Sequence, residues 1–388
     1  MNKKKILYIL KHNPWGVGGG CYACRNYMDA FMDVFHDADF DFCICEEYLK
    51  DRDIDYPKNV RFIGVRPRGK LNKLLSPITG LLHRHQKMAM QMLKDGGYDY
   101  CIFDESGIAG SLVDTAMRCG VKTIVINHNY QVEYSRDNIT SRVKRLLILP
   151  VVEKCERHSF LYCDYNIFLT EEDRCTFGKV YGNSNTKSIV GGCFLKKGET
   201  IDIDAIKPIN NGRLRIVISG TIGNVQNLDG INYFLDELYY ALPDDIDVII
   251  TGKNPTAKLM EKIKSFPNVS IIANPKDIMA VVRECDIFLC PTRLGGGMKL
   301  RLMDGLRNGL PVLTHRTSAR GYGEFKDNGI LWEYDDVDSF REGFSSIVDA
   351  IRVNSLDKLK IVNYANEVFV FETVVKRLKK TIIGFDNN

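Results

Sequence analysis

No run in the sequence approaches the roughly 18 consecutive apolar residues that a membrane span requires. The opening stretch MNKKKILYILKHN has an apolar core of only five residues before Lys11 and His12, with no small-residue cleavage site after it. It therefore reads as a β-strand rather than a signal peptide, and the expected location is the cytoplasm. The glycines at 16, 18, 19 and 20 do not form the GxGxxG pattern of dinucleotide-binding turns, so that reading is weak. Cys21 and Cys24 have CxxC spacing, but no second CxxC or His pair accompanies them, which argues against a zinc or redox site. Twelve cysteines in a chain without an export signal imply a reducing compartment and free, mostly buried thiols. There are no low-complexity runs and no short-period repeat.

Acidic residues are also missing from one long block. From Lys58 to Lys94 there are nine Lys or Arg and no Asp or Glu, although the whole chain carries a net charge of only +4. A block of one sign suits an anionic partner. Phe, Tyr and Trp are absent from Arg66 to Lys94, and no nucleic-acid module accompanies the charge, so an anionic membrane surface is favoured over nucleic acid. A solvated face is the plain alternative.

What is present is an alternation of apolar strands with helices, laid out twice. Lys5–Leu10 is followed by a glycine loop and a helix over Cys21–Val34; Leu214–Ser219 is followed by Gly220–Gly230 and a helix over Ile231–Leu242. At 388 residues two cores are expected. The proposed divisions are an N-terminal domain over 1–195, a linker over 196–212, a second domain over 213–368 and a terminal helical segment over 369–388.

The densest stretch is Cys290–Leu313, CPTRLGGGMKLRLMDGLRNGLPVL. A strand leads into Gly295, Gly296 and Gly297, and helix-forming residues run from Met298 until Gly309 and Pro311. Glycines let backbone approach a ligand, and a helix start offers unpaired N–H groups to an anion. The same spacing sets Asp304 about two turns beyond Gly297 on one helix face, where its carboxylate could accept from sugar hydroxyls. From the glycines alone, a turn and a packed helix with Leu300, Met303 and Leu306 in the core is the favoured explanation of the stretch. In the first half, His128 follows the strand Lys122–Ile126, at the strand end where open α/β sheets bind ligands.

The run from Gly295 to Pro311 resembles the donor-site signature of retaining glycosyltransferases of family 4 type, and His128-Asn129 followed by Glu133 and Tyr134 is similar to bacterial members that build surface or capsular polysaccharides. The resemblance implies a GT-B fold, an α/β architecture of two doubly wound Rossmann-like domains facing a central cleft. The family signature commonly holds two glutamates; here Gly296 stands at the first position and Asp304 at the second. Carried over residue by residue, it assigns donor binding to Gly220, Asn227, Gly295, Gly296, Gly297, Met298 and Asp304. Many members also place a basic residue in the loop after Gly220. This chain has none there, so Lys253, Arg293, Lys299 or Arg301 must supply positive charge. His128 and Lys299 are the catalytic candidates, and Gly18, Gly19, Gly20 and Asn129 face the acceptor side.

What the resemblance implies is transfer of a sugar from a nucleotide sugar to a glycan or lipid-linked glycan, with retention of configuration and no required metal or other cofactor. The absence of a DxD motif placed after a strand agrees with the last point. An epimerase of the same fold and a catalytically silent nucleotide-sugar or glycan binding protein are the alternatives.

Overall fold

The computed structural model describes residues 3–386 apart from 17, 51–55, 67–85, 140, 185, 200–202, 210–211 and 354. Most of the basic block, 67–85, thus lies outside the described residues. Two compact units divide the chain: residues 1–198 with 371–388, and residues 199–370. The stretch read as a linker is shared between them.

The first unit is a seven-stranded parallel sheet in the order β3-β2-β1-β4-β5-β6-β7. Its strands are β1 (Lys5–Ile9), β2 (Asp39–Cys45), β3 (Val60–Val65), β4 (Tyr100–Phe103), β5 (Lys122–Asn127), β6 (Tyr165–Phe168) and β7 (Lys187–Val190). Parallel strands covered on both faces have no solvent side, which explains why Ile6 to Leu10 and Tyr100 to Phe103 are unbroken apolar runs at no more than 2% exposure. The helix Glu171–Tyr181 starts after Thr170, whose hydroxyl accepts from the Asp173 N–H at 3.0 Å. The last helix, Phe371–Asp386, belongs to this unit, and its Phe371 ring lies 5.9 Å from that of Phe194.

The second unit is a six-stranded parallel sheet in the order β10-β9-β8-β11-β12-β13. Its strands are β8 (Arg215–Thr221), β9 (Asp247–Lys253), β10 (Val269–Ala273), β11 (Ile287–Cys290), β12 (Val312–His315) and β13 (Leu331–Tyr334). Two helix boundaries differ from expectation. The helix after β8 begins at Val225, because Asn224 caps it by accepting from the Gln226 N–H at 3.0 Å. The helix after β11 spans only Arg301–Leu306. Gly295 and Gly297 adopt positive φ, +82° and +75°, the helix begins only at Arg301, and Asp304 sits in its first turn rather than two turns on.

Each sheet reverses its strand order once, between β1 and β4 and between β8 and β11. The loops leaving these strand ends diverge and open a crevice, the usual ligand position in open α/β sheets. All twelve cysteines are free thiols. No helix among the described residues is long and apolar enough to cross a membrane.

At the crevice of the second unit, β8 and β9 pair Gly220 with Gly252 one residue before both strands end. A Cβ on Gly252, whose φ is +149°, would lie 1.7 Å from the Gly220 carbonyl oxygen. Gly252→Ala is expected to cost this unit about 3 kcal/mol from strain and overpacking. Gly178→Ala, in open space on the helix Glu171–Tyr181, should be neutral or stabilising. Thermal unfolding of the two variants checks this contrast.

Candidate functional site

In the first unit, β1, β4 and β5 each deliver a polar residue to their carboxyl ends. His12 follows β1, Asp104 follows β4 directly and His128 follows β5 directly. His128 Nε2 lies 2.6 Å from Asp104 Oδ1, and His12 Nδ1 lies 3.3 Å from Oδ2. The N–H groups of Lys11 and His12 also donate to Oδ2, at 3.3 and 3.4 Å. Burial alone would push the Asp104 carboxyl up, but His128 and His12 outweigh it and hold the group well below the usual carboxylate range. His12 is in turn raised, because the hydrogen bond and charge of Asp104 exceed the effect of burial. A bond from Nε2–H of His128 to a carboxylate leaves Nδ1 as the other functional atom of that ring, and this nitrogen is buried without a partner. The ligand-capable atoms of His12, Asp104 and His128 all lie within 4.8 Å of one another, a spacing that also admits a divalent cation.

The glycine loop after β1 borders this cluster. Gly18 has φ +119° and precedes the helix Gly19–Val34, so Gly19 and Gly20 form its first turn. A Cβ on Gly20 would sit 3.0 Å from His12 Nε2, which makes room for the imidazole the reason for glycine there. Asn129 accepts from the Gln131 side-chain amide. Glu105 holds φ +128°, a region that costs a non-glycine residue of order 1–3 kcal/mol, and its carboxylate pairs with Lys11.

Behind these loops lies Glu156, fully buried on the helix Arg142–Tyr162. Its Oε1 accepts from the Gln131 N–H at 2.9 Å and the Ser106 hydroxyl at 3.3 Å, while the Tyr181 hydroxyl donates to Oε2 at 3.1 Å. One side chain thereby ties the loop after β4 to the loop after β5. Burial pushes its carboxyl up to about 8.

In the second unit the loops after β8 and β11 border a small indentation, with room for about one water, lined by Ser219, Gly220, Asn227, Thr292 and Arg301 among others. Arg301 supplies its charge: its Nη1 donates to the Thr292 hydroxyl at 3.4 Å and would lie 3.3 Å from a Cβ on Gly220. Asn227 donates to the Thr221 carbonyl at 2.8 Å, while its Oδ1 and the Ser219 hydroxyl are buried without partners. The other basic candidates are placed differently. Arg293 pairs with Asp229 at 3.0 Å and stacks on Tyr233, and Lys253 is exposed at the end of β9. Lys299 is 8% exposed and donates to the Gly295 and Gly296 carbonyls at 3.0 and 3.3 Å, with its ammonium lowered to about 8 by burial. In trans peptides these carbonyls point opposite to the N–H groups of Gly296 and Gly297. Lys299 therefore shapes the glycine loop and turns those amides away from its own ammonium, and Met298 completes the loop half-buried beside it. Asp304 keeps part of its surface, yet desolvation pushes its carboxyl up to about 7 against the opposing charges of Arg307 and Arg301.

Residues 213–350 match the family model described as Glycosyl transferases group 1. No curated protein matches the chain in sequence. Among solved structures, sucrose-phosphate synthase from Thermosynechococcus elongatus is similar with a TM-score of 0.71 at 12% identity, over 99% of this chain and 100% of that one. The lipopolysaccharide outer core galactosyltransferase WaaB in its apo form gives 0.67 at 12%, over 98% and 99%. Anabaena Alr3699/HepE in complex with UDP gives 0.65 at 12%, over 98% and 100%. These likenesses show the fold: two parallel-sheet Rossmann-like domains of GT-B type.

The buried Glu156 makes stability depend on pH. Between its ordinary value of 4.5 and about 8 the folded chain holds a proton that the unfolded chain releases. Stability must therefore fall as pH rises through that window and level off above it. Glu156→Gln keeps the acceptor for Gln131 and removes this slope. Melting temperatures of parent and variant, read from pH 5 to pH 9, should converge or cross in favour of the variant at the alkaline end. His12, also raised, adds a slope of the same sign to both proteins and cancels in the difference.

Proposed function

We propose that the chain is a glycosyltransferase that moves a sugar from a nucleotide-sugar donor to a glycan or lipid-linked glycan acceptor in polysaccharide synthesis, with retention of configuration. The observation that carries this reading is Arg301. It is the charged side chain against the Gly220 loop, inside the segment that matches the glycosyl transferases group 1 model. A diphosphate laid there meets a guanidinium, the glycine loop at 295–297, and no carboxylate at 296. The Ser219 hydroxyl can donate to a phosphate oxygen, and Asn227 Oδ1 can accept from a hydroxyl of the same ligand. Nucleotide binding by relatives of this fold, such as Alr3699/HepE with UDP, supports the donor class.

Asp304 is assigned to the ribose hydroxyls and the His12–Asp104–His128 cluster to the sugar end of the reaction. The His12 imidazole, raised by the carboxylate of Asp104, gains the second N–H more readily than a free imidazole. A donor so fixed, aimed at an oxygen that gains charge, stabilises the transition state with no reorganisation. We expect no metal to be needed, since hydrogen bonds from two imidazoles already satisfy Asp104.

Calorimetry with a panel of nucleoside diphosphates tests the donor site. Arg301→Ala and Asp304→Ala should each weaken the preferred nucleotide by roughly ten- to a hundredfold, the range for losing hydrogen bonds to a charged group. Because ionised Asp304 is the better acceptor, affinity should rise as pH passes through about 7, and Asp304→Asn should flatten that rise. Equal affinity in the parent and both alanine variants would remove these residues from the site.

Turnover of donor in the presence of acceptor tests the first unit. His128→Ala should lower kcat by a hundredfold or more, the usual contribution of a placed charge-stabilising donor, and leave nucleotide Kd within about twofold. A chelator should leave the rate unchanged; loss of activity restored by a divalent cation would assign the cluster to a metal instead.

A further inference from the structure

The helix Arg142–Tyr162 changes character along its length. Its second half is conventional: Val151, Val152, Cys155, Glu156, Ser159 and Phe160 are buried in the first unit, and Lys154 and Arg157 face solvent. At 3.6 residues per turn the solvent-facing stripe continues N-terminally through Pro150, Leu147, Leu146 and Val143. All four are exposed, Leu146 to 77%, Val143 to 67% and Leu147 to 52%. A stripe that should be polar is apolar for about two turns, roughly 11 Å of helix.

The flanks of this stripe are cationic. Arg142 and Lys144 are exposed and lie about a quarter turn to either side of Val143, and Arg145 packs inward with its guanidinium on the Ile139 carbonyl at 2.8 Å. From Ile139 to Val152 the sequence has no Asp or Glu. Apolar side chains along the centre with Lys and Arg at the margins match a surface whose interior is hydrocarbon and whose rim is anionic. A second copy of the chain fits less well, since a two-fold contact through this stripe would bring together the cations of both copies with no Asp or Glu between Ile139 and Val152 to pair them.

We propose that the N-terminal half of this helix, residues 142–150, is a docking surface for an anionic lipid bilayer. The basic block at 58–94 is a weaker candidate in its described part. Arg61 is held by Asp41 through two bonds of 2.7 Å, and Arg66 lies 3.7 Å from Glu46. The proposal stands apart from the sugar-transfer reading, because the docking surface shares no residue with either crevice.

Vesicle flotation tests it, with liposomes of phosphatidylcholine alone and of phosphatidylcholine mixed equally with phosphatidylglycerol. The full chain should float with the anionic vesicles and stay behind with the neutral ones. Val143→Glu/Leu146→Glu should reduce partitioning at least tenfold. Arg142→Gln/Lys144→Gln should reduce it roughly thirtyfold at low salt, from about fivefold for each basic residue. Arg66, Arg68, Lys70 and Lys73 changed to Gln should float like the parent. Every substituted side chain on the helix is exposed, so melting temperatures should match the parent and exclude misfolding. The proposal fails if the parent ignores anionic vesicles, if the Val143→Glu/Leu146→Glu variant floats as well as the parent, or if only the 66–73 variant loses binding. It fails equally if sedimentation shows a dimer that this double variant dissolves while vesicles capture nothing, which would make the stripe a self-association face.

Discussion

Parallel pairing of every strand is the constraint from which both candidate sites follow. When all strands of a sheet run one way, every connection must cross a face, and every strand ends on the same edge. Residues far apart in sequence, such as His12, Asp104 and His128, are thereby brought to one line of strand ends. The reversal of strand order between β1 and β4, and again between β8 and β11, then spreads the adjoining loops. The chemistry gathers there because that is where side chains can leave the sheet without burying backbone groups unpaired.

The two edges are furnished differently. The first unit collects titratable groups and keeps them apart in protonation: Asp104 anionic between two imidazoles, and Glu156 protonated behind it. Burial favours the neutral form in both; what differs is the partner. Asp104 faces two imidazoles and two backbone N–H groups, whereas Glu156 faces a hydroxyl pair and one amide, which satisfy a neutral acid. The second unit has backbone instead, with glycines at 220, 252, 295, 296 and 297 and buried Lys299 using its ammonium to orient carbonyls. An edge of amides and one guanidinium suits a ligand rich in oxygen and negative charge; an edge of imidazoles and carboxylates suits the movement or stabilisation of charge at an atom.

The alternation of apolar runs with helical segments was enough to read a two-part parallel α/β fold, because strands covered on both faces must be apolar throughout. His128 was legible for the same reason, at the end of a clear strand. Asp104 was equally visible after Tyr100–Phe103, but a strand-end carboxylate has meaning only once β1 is known to lie beside β4, and neighbour order is not written in local pattern. The helix starts were misread where backbone geometry overrode propensity. Met298 and Lys299 are good helix formers, yet positive φ at Gly295 and Gly297 and the pull of the Lys299 ammonium on two carbonyls delay the helix to Arg301. Asn224 did the same in the other direction by capping earlier than the apolar pattern suggested.

The helix start after β11 also decides which residue carries charge to the Gly220 loop. Had the helix begun at Met298, Arg301 would have fallen in its middle, a turn away from the loop. Starting at Arg301 puts this side chain at the first helical position, pointing back toward the preceding strand ends as helical side chains do, and so against Gly220 and Thr292. Positive φ at two glycines thus bears on where a guanidinium several residues later comes to rest, and the charge of this edge is set by backbone geometry as much as by residue type.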